Sequence, residues 1–162
     1  MKKLIALAVV LLMTVQGFAQ DGKSIYNKYS GEEGVSAVYI SKAMFKMMGK
    51  LPSVEINDSD VNLSKVVSSL DAFYLIESEN KSINDKLAQD VRKFIDSGDY
   101  EILMEVKDDG ETVRFYTIGD EQIVTGLVMM ILDGNECTFL CLDGRMQRED
   151  LEKIISEGVG QD

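Results

Sequence analysis

The sequence predicts an α+β fold: a mainly antiparallel sheet of about six strands with helices packed chiefly on one face. Three observations carry that prediction. Helical periodicity dominates up to Gly98. Beyond it the period changes to alternation, the pattern of half-buried strands. Two clusters of turn residues, Asp109-Gly110 and Asp133-Gly134-Asn135-Glu136, then fold the later strands back on one another.

The elements follow in chain order. Ile25, Tyr26 and Tyr29 lie three and four residues apart, one face of a short helix. Glycines at 31 and 34 break it, and residues 35–40 are β-branched and aromatic enough for a strand. Ser41 is suited to cap a helix that carries Met44, Phe45, Met47 and Met48 and stops at Gly49. Asp60 or Asn62 can cap the next helix, through Val66, Val67 and Leu70, before a strand over residues 72–76. The clearest helix starts at Asn80 or Ser82 and ends at Gly98. Its apolar stripe is Ile83, Leu87, Val91, Phe94 and Ile95.

After Gly98, Ile102, Met104 and Val106 alternate with polar neighbours. Asp109-Gly110 is a two-residue hairpin turn, since both positions of such a turn require positive φ. That turn sets Val106 opposite Val113, Met104 opposite Phe115 and Glu105 opposite Arg114. The apolar pairs share one face; if that face is the core, Phe115→Ala should cost roughly 3–5 kcal/mol. Residues 122–132 and 137–142 form a second hairpin that is apolar on both faces. A helix over residues 146–155 closes the chain, with Leu151, Ile154 and Ile155 apolar.

The first residues read as an export signal. Lys2 and Lys3 precede an apolar stretch over residues 4–15, and Gly17-Phe18-Ala19 has the small-x-small spacing of a cleavage site. The apolar stretch is too short to span a bilayer, which takes roughly 20 residues. We therefore expect a signal peptide over residues 1–19 and a single α+β domain over residues 20–162. Cleavage after Ala19 would leave it soluble, in the periplasm or secreted, with no stable membrane span. The two cysteines, Cys137 and Cys141, lie far from that site, so no lipid-bearing thiol follows it.

With 17 basic and 28 acidic residues, the net charge is −11. Such a surface repels nucleic acid. The chain has no histidine, and so lacks the commonest general base and metal ligand.

Candidate chemistry is sparse. Cys137 and Cys141 face the same side of a strand at about 13 Å, too far for a disulfide. Buried, inert thiols are expected. The methionines read as core filling rather than a copper site. Asp58-x-Asp60-x-Asn62 begins like a calcium loop, but Leu63 and Ser69 stand where glycine and glutamate are needed. Arg145 and Arg148 stand near the start of the last helix, where its dipole disfavours cations; Glu149, Asp150 or Glu152 would offset them. We assign no catalytic, cofactor or metal residues.

Four segments together resemble a known family: Val38-Tyr39-Ile40-Ser41-Lys42-Ala43-Met44, Leu103-Met104-Glu105-Val106-Lys107-Asp108, Leu142-Asp143-Gly144 and Asp150-Leu151-Glu152-Lys153-Ile154. In that order they resemble a Bacteroidetes family of small secreted proteins and lipoproteins classed as a domain of unknown function. The resemblance implies an exported single domain and brings no active site with it. Many members carry a lipid-anchor cysteine, which this chain lacks.

The functional expectation is an exported, non-enzymatic binding or interaction module of the bacterial envelope. The alternative is a carboxylate-dependent hydrolase acting on envelope or dietary glycans. The one surface the sequence singles out is the second face of the later strands: Leu127, Met129, Ile131, Leu140 and Leu142. Either a helix crosses to cover it, such as the one carrying Ile25, Tyr26 and Tyr29, or it meets a protein partner or a second copy.

Overall fold

The computed structural model describes residues 21–48 and 63–159. Among them are six strands and five helices in the order helix, strand, two helices, strand, helix, four strands, helix. The strands are β1 (Val35–Ser41), β2 (Leu70–Ser78), β3 (Glu101–Asp108), β4 (Glu111–Gly119), β5 (Ile123–Leu132) and β6 (Cys137–Gln147). The helices are α1 (Gly22–Tyr29), α2 (Lys42–Met48), α3 (Leu63–Ser69), α4 (Lys81–Ser97) and α5 (Arg148–Val159). All strands join one antiparallel sheet in the order β1-β2-β6-β5-β4-β3. This is the α+β architecture the sequence predicts.

Local chemistry explains most boundaries. The Asn80 side chain accepts from the Ser82 N–H, opening α4 after an extended residue. Its stripe, Ile83, Leu87, Val91, Phe94 and Ile95, is buried throughout. Asp21 caps α1 in the same way, accepting from the Ser24 N–H at 2.7 Å. Asp109 (φ 41°) and Gly110 (φ 90°) form the tight turn between β3 and β4. Asp133 accepts from the N–H groups of Asn135 and Glu136, closing the turn between β5 and β6.

Three details depart from the sequence reading. A bulge at Leu103 turns β3, so Ile102 pairs with Tyr116 while Met104 pairs with Phe115. Ile102 and Met104 therefore face opposite sides. Strand β6 continues to Gln147, through Gly144 and Met146, where the apolar spacing had suggested a helix from Met146. Gly144 permits this, because a Cβ there would meet the Ser69 carbonyl oxygen at 2.6 Å. Finally, Leu70 begins β2 instead of ending α3. The residues read as an export signal, and Asp58, Asp60 and Asn62, lie outside the described residues.

The sheet buries its two faces unequally. Helices α1 and α4 seal one face, in a core that includes Ile25, Leu87, Val91, Ile76, Val128, Met130 and Phe139. An ion network around the buried carboxylate of Asp90 ties the two helices together. Asp90 of α4 accepts from the Lys28 ammonium at 2.5 Å and the Tyr29 hydroxyl at 2.7 Å, with Lys93 at 3.8 Å. Burial pushes the Asp90 carboxyl up, but these donors outweigh it and hold it below the ordinary carboxylate value. On the other face a smaller cluster gathers at one end: Phe45 and Met48 of α2, Val66 and Val67 of α3 and Leu151 of α5 pack with Ile40, Phe73 and Leu142.

Candidate functional site

The registers align a continuous apolar row across the second face. Val38 pairs with Leu75, Leu75 with Leu140, Leu140 with Met129, Met129 with Phe115 and Phe115 with Met104. One residue from each of six strands thus stands in a line, and all six are apolar. None belongs to either buried cluster among the described residues. The ends, Val38 and Met104, are 43% and 45% exposed, and the four central residues are half-buried. Beside it runs a more polar row, Ser36, Glu77, Thr138, Ile131, Val113 and Val106.

The five residues singled out by sequence all lie on this face, in three adjacent rows. Met129 and Leu140 are in the open row, and Ile131 is in the row beside it. Leu127 and Leu142 face each other one row nearer the helices, and Leu142 packs against the α2, α3 and α5 cluster. Sequence reasoning missed Val38, Leu75 and Met104 as members of the surface. Phe115, whose face the sequence left as core or solvent, stands half-buried in the row. The helix proposed to cross over, α1, packs on the opposite face, where Tyr29 and Ile25 are buried.

The thiols behave as the strand spacing requires. Cys137 and Cys141 are free and fully buried on the α1 and α4 face. Burial pushes the Cys137 thiol up to about 11 and raises Cys141 further, so neither supplies a thiolate near neutral pH. The core-filling reading of the methionines holds for Met130 and Met146, which are buried. It fails for Met44 and Met47, 47% and 67% exposed on α2, because the buried face of that short helix is carried by Phe45.

Asp143 is a perturbed carboxyl on the sheet. It lies beyond Cys141 on the same face, and the Cys141 thiol donates to it at 3.5 Å. Burial pushes this carboxyl up, the thiol contact opposes the shift, and the charges of Asp21 and Asp71 add to it. Two surface hollows of about 350 and 330 Å³ lie away from Asp143; the first adjoins the open row and is lined by Ser36, Glu77, Glu136 and Thr138, the other by Asn84, Arg92 and Asp133. Arg148 is spent structurally, donating two bonds to the Asp120 carbonyl oxygen. Among the described residues, no group of three or more His, Cys, Asp or Glu side chains could hold a metal ion, and no helix is long and apolar enough to cross a membrane.

A family described as Domain of unknown function (DUF4252) matches residues 29–154, a span from the end of α1 into α5 that includes every strand. The chain belongs to this family. Comparison with curated proteins gave no match. The DUF4252 match spans the whole apolar row, from Val38 to Leu140.

Proposed function

We propose that this DUF4252 protein is an exported, non-enzymatic docking module that binds a protein through the open row on its sheet. The observation that carries the reading is the row itself: six apolar side chains, one per strand, outside both buried clusters. Monomers seldom leave a contiguous apolar patch to water unless it serves contact. An apolar run across six strands, flanked by polar residues such as Ser36, Glu77 and Thr138, has the make-up of a protein contact, and the hollow that those three residues help to line includes no residue of the row. Export rests on Lys2-Lys3, the apolar run after them and Gly17-Phe18-Ala19. An intact mass beginning at Gln20 for protein taken from cells tests it.

The docking reading is tested with Met129→Lys combined with Ile131→Lys. Parent and variant serve as bait on the periplasmic fraction, and any protein retained is then purified and titrated against both. The expected result is a folded variant that has lost the partner. Equal binding by both baits would move the contact elsewhere.

The alternative, a hydrolase working through carboxylates, is supported by one feature, the raised Asp143 beside the charges of Asp21 and Asp71. A carboxyl that holds its proton more tightly than usual beside other acidic groups is a feature such chemistry uses. Asp143 lines neither of the two hollows described, so the docking reading is the better supported.

A further inference from the structure

The edge strand β3 presents a second surface, its free backbone edge, where the open row ends at Met104. All eight of its residues are exposed, including Ile102, Leu103, Met104 and Val106 at 45–56%. A long, exposed apolar edge is an unfinished sheet: its outward N–H and C=O groups template another strand. In an antiparallel pair, residues alternate between bonding inward and outward. The two-residue turn makes Asp108 and Glu111 an inward pair, so Val106 also bonds toward β4, while Glu105 and Lys107 point their backbone groups to the free edge.

We propose that the partner at this edge is a second copy of the chain, with β3 pairing antiparallel to β3 about a two-fold axis at Val106. The net charge of −11 opposes self-association, so charges at the contact must be matched locally. This register does so. It sets Val106 against the partner's Val106, and Glu105 against the partner's Lys107, twice by symmetry. Both outward residues are then hydrogen-bonded across the new interface, giving about four backbone bonds. Within each copy Glu105 already contacts Lys107 at 2.9 Å and Arg114 at 2.5 Å. Pairing would extend this into one alternating network. Centring the axis on Glu105 would oppose two like charges. Centring it on Met104 would bring Glu105 to Leu103, where the bulge breaks the alternation. The contact adjoins the docking row, which ends at Met104, but the charge pairs that test it do not: Glu105 and Lys107 face the opposite side of the sheet from Met104 and Val106.

Charge reversal tests it by sedimentation. Lys107→Glu alone and Glu105→Lys alone should each weaken the dimer by about tenfold or more, equivalent to about 1.4 kcal/mol. An equimolar mixture of the two restores both opposite-charge contacts, so it should associate nearly as well as the parent. Lys107→Pro is the control should Glu105→Lys disturb its own Arg114 contact. Its lost N–H points outward, so the hairpin is kept while strand addition is blocked. A parent that sediments as a monomer throughout a concentration series overturns the proposal. So do reversals that leave the dimer unchanged, or a mixture that fails to recover.

Discussion

Phe139 and Leu140 are consecutive residues of β6, yet they belong to different environments. Phe139 is fully buried under α4, edge-on to Phe94 at 6.3 Å between ring centres. Leu140 stands in the middle of the open row. Met130 and Met129 repeat the contrast on β5, one buried and one half-buried. On β5 both faces are apolar in sequence, so hydrophobicity alone does not decide which becomes core. The decision is made by where the helices land. Helices α1 and α4 span one face, and α2, α3 and α5 reach only one end of the other.

The largest effects should separate the two faces. Phe139→Ala should cost about 3–5 kcal/mol in urea unfolding, because it removes a ring from a closed core. Phe115→Ala, in the open row, should cost only about 1–2 kcal/mol, since the ring is partly exposed and outside both buried clusters, and truncation leaves no closed cavity. Equal costs would erase the distinction.

Two acids on the closed face should then show opposite pH slopes. Asp90 is held below its ordinary value, so its contribution is present above that value and is lost as pH falls through the depressed one. Asp90→Asn should cost about 1–3 kcal/mol at neutral pH by weakening the contacts with Lys28 and Tyr29. Asp143 is raised, so the folded state favours its protonated form. Stability is greatest below the ordinary carboxylate range and declines as pH rises through the raised value. Asp143→Asn should remove that decline from a stability-against-pH curve, while Asp90→Asn removes the acid-side loss.

Thiol reactivity gives a gentler probe of the same face. Cys137 and Cys141 should both be silent to a thiol reagent in native protein, and both titrate as free thiols after unfolding. A disulfide between them would contradict the strand. The smallest effect belongs to the edge. The Glu105–Arg114 contact is solvent-exposed, so a double-mutant cycle should find a weak coupling that fades with added salt.

Much of the architecture was legible because it is local. Asn80 as a cap, the α4 stripe, the Asp109-Gly110 turn and the pairing of Glu105 with Arg114 each depend on neighbours within about one hairpin or helix. The alternation of Leu127, Met129 and Ile131 also declared a second apolar face. What the sequence hid is long-range. The return of β6 beside β2 brings Val38 and Leu75 into line with Leu140, and no local period records that pairing. The Leu103 bulge is equally silent, since an extra residue in a strand of apolar neighbours leaves no turn signature. Met44 and Met47 look like core residues by type, and only the seating of Phe45 shows that they face outward.

The adjacent methionines of β5 test the open row most directly. Lysine is introduced at Met129 or at Met130, and each variant is unfolded in urea beside the parent. At Met130 the charge enters a closed core, and the variant should fail to fold or lose several kcal/mol. At Met129 the ammonium can reach water along the half-buried face, so stability should stay within about 1 kcal/mol of the parent. A Met129→Lys protein that unfolds as Met130→Lys does would make the row part of the core and contradict the account.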